Sequence, residues 1–160
     1  MARGADEVQS RFAHPSGPAK NLAVRPRFHL AFPVRDLAEA RAFYGGVLGC
    51  PEGRSASDWV DFDFHGHQIV AHLAPQEAAT PTSLVDGEAV PVRHFGLILA
   101  PEAWRALAAR LTEAGVHFLI APQSRFAGQA GEQSTLFVTD PSGNALEFKA
   151  FADESAIFAR

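Results

Sequence analysis

At 160 residues the chain has the size of one domain, and 47% hydrophobic residues are enough for a core. A net charge of −4 gives no basic patch to follow a phosphate backbone, no apolar run approaches the ~20 residues that span a bilayer, and the N-terminus lacks the apolar stretch of a signal peptide. Nucleic-acid and membrane partners are therefore not expected, and the single cysteine, Cys50, excludes an internal disulfide and fits a reducing cytoplasm.

Residues 1–26 are polar, contain Pro and Gly and show no sustained period, so they read as a flexible N-terminal arm that holds His14 without a role. From Arg27 the pattern becomes regular. "FHLAF" reads as a strand, and "PVRDLAEARAFYGGVLGC" as a loop and helix with Asp36 as N-cap and Glu39 completing a capping box. "DWVDFDFHGHQIVAHL" reads as two strands joined at His65-Gly66, the first alternating apolar and acidic residues like a half-exposed strand. His65 and His67, at the turn, read as solvent-exposed. A softer linker over 76–90 follows.

The second half repeats this grammar. "VRHFGLILA" is a strand, "PEAWRALAARLTEAG" a helix with Pro101 at its first position and Gly115 beyond its end, and "VHFLIAP", "STLFVTD" and "NALEFKAF" are strands. Asp140-Pro141-Ser142-Gly143 is strong turn chemistry before the last of them. The expected fold is α+β: paired βαβββ modules forming a cupped mixed sheet, with module one at 27–75, module two at 91–151 and a tail at 152–160. Aligning the halves places His29 opposite His94 and Val70 opposite Glu147. The corresponding separations, 41 and 53 residues, assign a 12-residue insertion to the second half, expected in "QSRFAGQAGEQ".

In the last strand Glu147 and Lys149 share one face, and Leu146, Phe148 and Ala150 share the other. If the apolar face is buried, Glu147 on the opposite face needs water or a positive partner. A pseudo-two-fold axis can bring the first-strand histidines of the two halves, His29 and His94, to matching places beside it. Two neutral imidazoles and one carboxylate, with further positions open, are the ligand set suited to Fe(II), and also to Mn(II) or Ni(II); with water added, Zn(II) fits.

The paired halves, the "FHLAFPVRDLAEARAFYGGVLG" opening, "RHFGLIL" and the closing "DPSGNALEFKAF" resemble the vicinal oxygen chelate superfamily of glyoxalases, bleomycin-resistance proteins and extradiol dioxygenases, over about residues 27–151. Within it the chain is most similar to small single-domain proteins of the extradiol dioxygenase type. The resemblance implies that His29, His94 and Glu147 bind a divalent metal, with Fe(II) the leading expectation. It also implies that a small molecule, such as an aromatic diol, chelates that metal through two adjacent oxygens. Val70 stands where glyoxalase I and its relatives keep a fourth ligand, a departure that favours the three-ligand, dioxygenase-like site. The tyrosine common near the substrate in such enzymes has no counterpart except Tyr44, which reads as core.

His72, two residues after Val70 on the same face, is the candidate acid/base for ring cleavage; Lys149, Arg125 and Phe126 are candidate substrate-binding residues, the last two as a cover over the cup mouth. The alternatives are a glyoxalase-like lyase or isomerase and a ligand-sequestering protein of the bleomycin-resistance kind. Members of the superfamily often form homodimers. With halves exchanged between chains, His29 would join His94 and Glu147 of the partner; with both halves in one chain, the site would be internal.

Overall fold

The computed structural model describes residues 26–75, 82–85, 87–129 and 132–158. Most of the expected N-terminal arm, with His14, lies outside the described residues, as does the first part of the linker. In chain order the elements are β1 (His29–Val34), α1 (Leu37–Ala40, running into π-helical turns over Arg41–Val47), β2 (Glu52–Ser55), β3 (Trp59–Phe64), β4 (His67–Leu73), β5 (Thr82–Val85), β6 (Glu88–Pro91), β7 (His94–Ile98), α2 (Pro101–Glu113), β8 (Phe118–Arg125), β9 (Gln133–Thr139) and β10 (Ala145–Phe151). A 3-10 turn, Glu154–Phe158, follows. Among the described residues no helix is long and apolar enough to cross a membrane.

The duplication is visible in the sheets. One runs β1-β4-β3-β2 and the other β7-β10-β9-β8, each with its first pair parallel and the rest antiparallel. Ala31 faces Val70 in the first sheet as Gly96 faces Glu147 in the second. His29 and His94, two residues earlier on their edge strands, are thus equivalent in register as well as in sequence.

Asp36 caps α1 by accepting from the Glu39 N–H at 2.9 Å. Glu39 does not complete a capping box. Its carboxylate instead takes both Nε and Nη2 of Arg35, at 2.7 and 3.0 Å, because a bidentate guanidinium outcompetes a single backbone N–H. The helix then widens, and the Leu48 N–H reaches the Phe43 carbonyl five residues back. That widening turns both Phe43 and Tyr44 into the core. In α2, Trp104, Leu107, Ala108 and Leu111 form the buried stripe, and the Trp104 indole donates to the Phe148 carbonyl at 2.8 Å, tying helix to sheet.

A single core joins the halves. Phe32, Val34, Tyr44, Phe62 and Ile69 from the first pack in one cluster with Leu111, Leu136, Leu146 and Phe148 from the second. Each fully buried large side chain contributes roughly 1.5–3 kcal/mol. Polar ties cross the same junction: Asp140, at the head of the turn before β10, accepts from the Tyr44 hydroxyl at 2.9 Å, and the Asn144 amide donates to the Pro33 carbonyl at 2.8 Å. The inner faces of both sheets are consumed by this core, so their other faces turn away from it.

Three details depart from the sequence expectation. The linker forms a hairpin, β5–β6, whose Val90 packs on Ile120 and Phe137. The short β2 is exposed at every residue and had no apolar signal to read. The segment expected as an inserted loop is strand at both ends, because β8 extends through Arg125 and β9 begins at Gln133, leaving residues 126–132 to connect them.

Candidate metal and substrate site

The outer face of the second sheet carries a buried carboxylate. Glu147 is only 8% exposed, opposite Gly96 on the parallel neighbour β7. A β-carbon at Gly96 would overlap the Glu147 carbonyl, so glycine lets the edge strand approach this closely. Glu147 Oε1 accepts from the Thr135 hydroxyl at 2.8 Å. Its Oε2 lies 3.2 Å from His94 Nε2 and 3.3 Å from the Lys149 ammonium. The positive partner that a buried glutamate requires is therefore present within its own strand.

The His94 ring is oriented from behind. Its Nδ1 is 2.7 Å from the Pro91 carbonyl, which can only accept, so Nδ1 carries the proton. In the neutral ring Nε2 is then a lone pair aimed at a carboxylate oxygen. Two acceptors at that separation demand a proton or a cation between them. The edge of the ring also meets Phe137, with centroids 5.1 Å apart.

His29 is held in the same way by different means. Its Nδ1 lies 2.9 Å from Gln68 Oε1, and Gln68 Nε2 donates to Asp61 Oδ2 at 2.9 Å. Because the carboxylate only accepts, the amide has one orientation, Nδ1 of His29 donates, and Nε2 again carries the lone pair. Asp61 was expected on a half-exposed strand but is 6% exposed; Gly53 on β2 has no side chain, and a β-carbon there would meet the Asp61 carboxylate.

The structure thus brings His94, Glu147, Lys149 and Thr135 together and leaves His29 elsewhere. Both polar faces point away from the shared core, and among the described residues no three His, Cys, Asp or Glu side chains of the one chain converge. Both edge strands, β1 and β7, have one neighbour each, and an open cleft of about 740 Å³ between them reaches His94.

Val70, facing Ala31 at the place equivalent to Glu147, is buried and offers no ligand. His72 is exposed near the end of β4, paired with Pro33 and Trp59 on the face that carries His29. Lys149 occupies the equivalent place in the second sheet, facing Ile98. Arg125 and Phe126 do not form a common cover: Arg125 ends β8 almost wholly buried, whereas Phe126 begins the loop at φ 56° and is partly exposed. Tyr44 lies in the core, away from either polar face. Sequence reasoning missed Thr135, Gln68, Asp61 and the Pro91 carbonyl. Only the alternation of "DWVDFDF" hinted at Asp61, since the strand period puts it beside Val70.

Burial raises two further groups. The Cys50 thiol is pushed up to about 11, chiefly by burial and then by nearby Asp63, which keeps it protonated and inert at neutral pH. The Tyr44 hydroxyl is raised well above its ordinary value, by burial first and then by Asp140.

Residues 28–148 match the model of the Glyoxalase/Bleomycin resistance protein/Dioxygenase superfamily. The fold is similar to a glyoxalase/bleomycin resistance protein/dioxygenase from Alicyclobacillus acidocaldarius, at 34% identity over 84% of this chain and 97% of that one, with a TM-score of 0.71. It is also similar, in fold alone, to a glyoxalase/dioxygenase from Nostoc punctiforme (17% identity, 82% and 94% covered, TM-score 0.60) and to the fosfomycin resistance protein FosX from Listeria monocytogenes (17%, 84% and 99%, 0.63). No curated protein shows significant similarity to the chain.

Proposed function

Because this chain belongs to the Glyoxalase/Bleomycin resistance protein/Dioxygenase superfamily, we propose that it is a divalent-metal-dependent enzyme of dioxygenase type whose site is shared between two copies. His94 and Glu147 of one chain would hold the ion, and His29 of the partner subunit would complete the set. The observation that carries this reading is the His94–Glu147 pair. With Nδ1 committed to the Pro91 carbonyl, the His94 Nε2 lone pair faces a carboxylate at 3.2 Å, an arrangement that a cation turns from repulsive to favourable. Backing the imidazole with a fixed acceptor and the carboxylate with Thr135 is what ligands of a functional ion require. The donor set of two imidazoles and one carboxylate suits Fe(II) first, and Mn(II), Ni(II) or Zn(II) also. Sharing between chains is supported by two polar faces that both point outward and by two edge strands, β1 and β7, that lack an outer neighbour.

When bound, the ion supplies charge stabilisation for two adjacent substrate oxygens and, as Fe(II), a place for O₂. The chain's own residues do the rest. Phe137, itself buried, packs against the His94 ring and helps to hold it. Thr135 and Lys149 fix the Glu147 carboxylate so that it does not swing away from the bound substrate. The partner's His72 would enter the site on the same face as the partner's His29, to take the proton of a substrate hydroxyl and return it to the product. With Tyr44 in the core, no tyrosine assists it.

A second reading is favoured by one observation. Lys149 already neutralises Glu147, so the same cup is electrostatically complete as a metal-free, ligand-sequestering site. Elemental analysis of protein purified anaerobically without chelators separates the two. Near-stoichiometric iron or manganese, followed by O₂ uptake with catechols, supports the dioxygenase. Bound zinc or nickel without O₂ uptake moves the assignment to a glyoxalase-like lyase or isomerase. A wild type that takes up no metal on reconstitution leaves the sequestering reading.

A further inference from the structure

A second cation lies on the same outer face as Lys149. Arg125 pairs in register with Gln133, as Gln123 does with Thr135, and Thr135 contacts Glu147; the strand period therefore puts Arg125, Gln133 and Gln123 on the Glu147 side of the sheet. Arg125 is 6% exposed, and its Nε and Nη2 meet no hydrogen-bond partner. Beside it, Gln133 Oε1 is also buried without a donor. Among the described residues no carboxylate pairs with Arg125, whereas the Lys149 ammonium is engaged by Glu147.

A guanidinium stays charged at any physiological pH, and burying it unpaired is strongly unfavourable. The chain therefore carries an arrangement that destabilises it unless something else supplies the counter-charge. The two unpaired donors are the ones that lie side by side on one edge of the guanidinium plane, the edge that receives the two oxygens of a single carboxylate or phosphate. Gln133 Oε1 adds an acceptor for a hydroxyl on the same ligand.

We propose that Arg125 is an anion subsite, and that the substrate is a small organic anion whose carboxylate or phosphate-type group it binds. In taking this cup as the substrate's seat, the inference rests on the functional reading above. From the register, Arg125 lies two strands across and four residues along from Glu147, on the order of 16 Å between α-carbons before the long arginine side chain narrows it. The charged end of the ligand thus sits towards the β8 edge and its reacting end towards Glu147. Arg125 is a specificity residue on the wall, rather than a cover over the mouth.

The test is anion binding by metal-depleted full-length protein, read by calorimetry and by Tm, with inorganic phosphate and acetate as separate probes. At least one probe should bind the wild type and raise its Tm. Arg125→Met should have a higher Tm than wild type without anion and bind the preferred probe at least tenfold more weakly, while Arg125→Lys recovers part of the affinity. Glu147→Gln should lose metal yet keep the anion, so that failure of the metal reading is distinguishable from failure of this one. Phosphate preferred over acetate identifies a phosphate-type group, and the reverse a carboxylate. The proposal is overturned if neither anion binds the wild type, if Arg125→Met is unfolded or less stable than wild type, or if it binds anion as well as wild type does.

Discussion

On the outer face of the first sheet, His29 stands on edge strand β1 beside Gln68, and the central position facing Ala31 is Val70; on the second, His94 stands on edge strand β7, and the central position facing Gly96 is Glu147. Both imidazoles are held at Nδ1, one by a Gln68–Asp61 relay and the other by a backbone carbonyl. The carboxylates differ in place. Glu147 touches its histidine, whereas Asp61 sits one strand away and reaches His29 only through an amide. The two halves thus share the scaffold but differ in ring contacts and charge: His29 turns Nδ1 to the central strand and His94 turns Nε2 to it. The second face brings an imidazole and a carboxylate into contact, whereas the first holds a single imidazole and its support.

The sharpest break of this asymmetry comes from the second face. Glu147→Ala or His94→Ala should abolish metal retention and lower any metal-dependent kcat/KM by more than ~100-fold, with elemental analysis and turnover as the checks. Val70→Ala, at the equivalent place of the first face, should change neither. Next in size, His72→Ala should lower kcat by about 10²–10⁴-fold while metal content stays at the wild-type level, the split expected of a proton-transfer group. Loss of metal in that variant would assign His72 to the ligand set instead.

Asp61→Asn acts through Gln68, since an amide in place of the carboxylate no longer dictates which way Gln68 points. Metal affinity should weaken by roughly 10–100-fold in a competitive chelator titration, because the His29 ring loses its fixed orientation. The smallest effect belongs to the core. Tyr44→Phe removes the hydroxyl bond to Asp140, but Asp140 keeps the Ser142 and Asn144 donors, so the loss should be about 1–2 kcal/mol in denaturant unfolding, with metal content unaltered. The same variant alters the alkaline limb. Tyr44 holds its proton in the native state where the unfolded chain releases it near pH 10, so its contribution is fully present below that pH and is lost as pH rises towards the native value. Wild type should therefore lose stability above about pH 10 more steeply than Tyr44→Phe.

Local chemistry was legible where one residue decides it. Asp36 caps its helix, Pro101 opens the next, and Asp140-Pro141-Ser142-Gly143 makes the turn whose carboxylate binds the halves together. The repeat was legible because Gly96–Glu147 and Ala31–Val70 occupy matching registers. Less was legible where the outcome depends on tertiary burial. Nothing in "EGRS" announces β2, an exposed strand that exists by pairing with β3. Glu39 chose a neighbouring guanidinium over the helix end. Arg125 looked like loop because glycines follow it, yet pairing with Gln133 draws it into β8 and out of solvent. His29, His94 and Glu147 could be put on the correct faces by strand period alone; which way those faces turn relative to each other is decided by contacts such as Phe32 on Phe95, which no local pattern encodes.

Co-expression of differently tagged His29→Ala and His94→Ala chains, followed by metal analysis of the isolated hetero-dimer, tests the shared three-ligand site most directly. Each variant alone should carry no metal. The mixed dimer should carry one intact site of two, so that random pairing restores about a quarter of wild-type metal to the unfractionated mixture. Metal retained by either variant alone, or a mixed dimer as empty as its parents, would contradict the account.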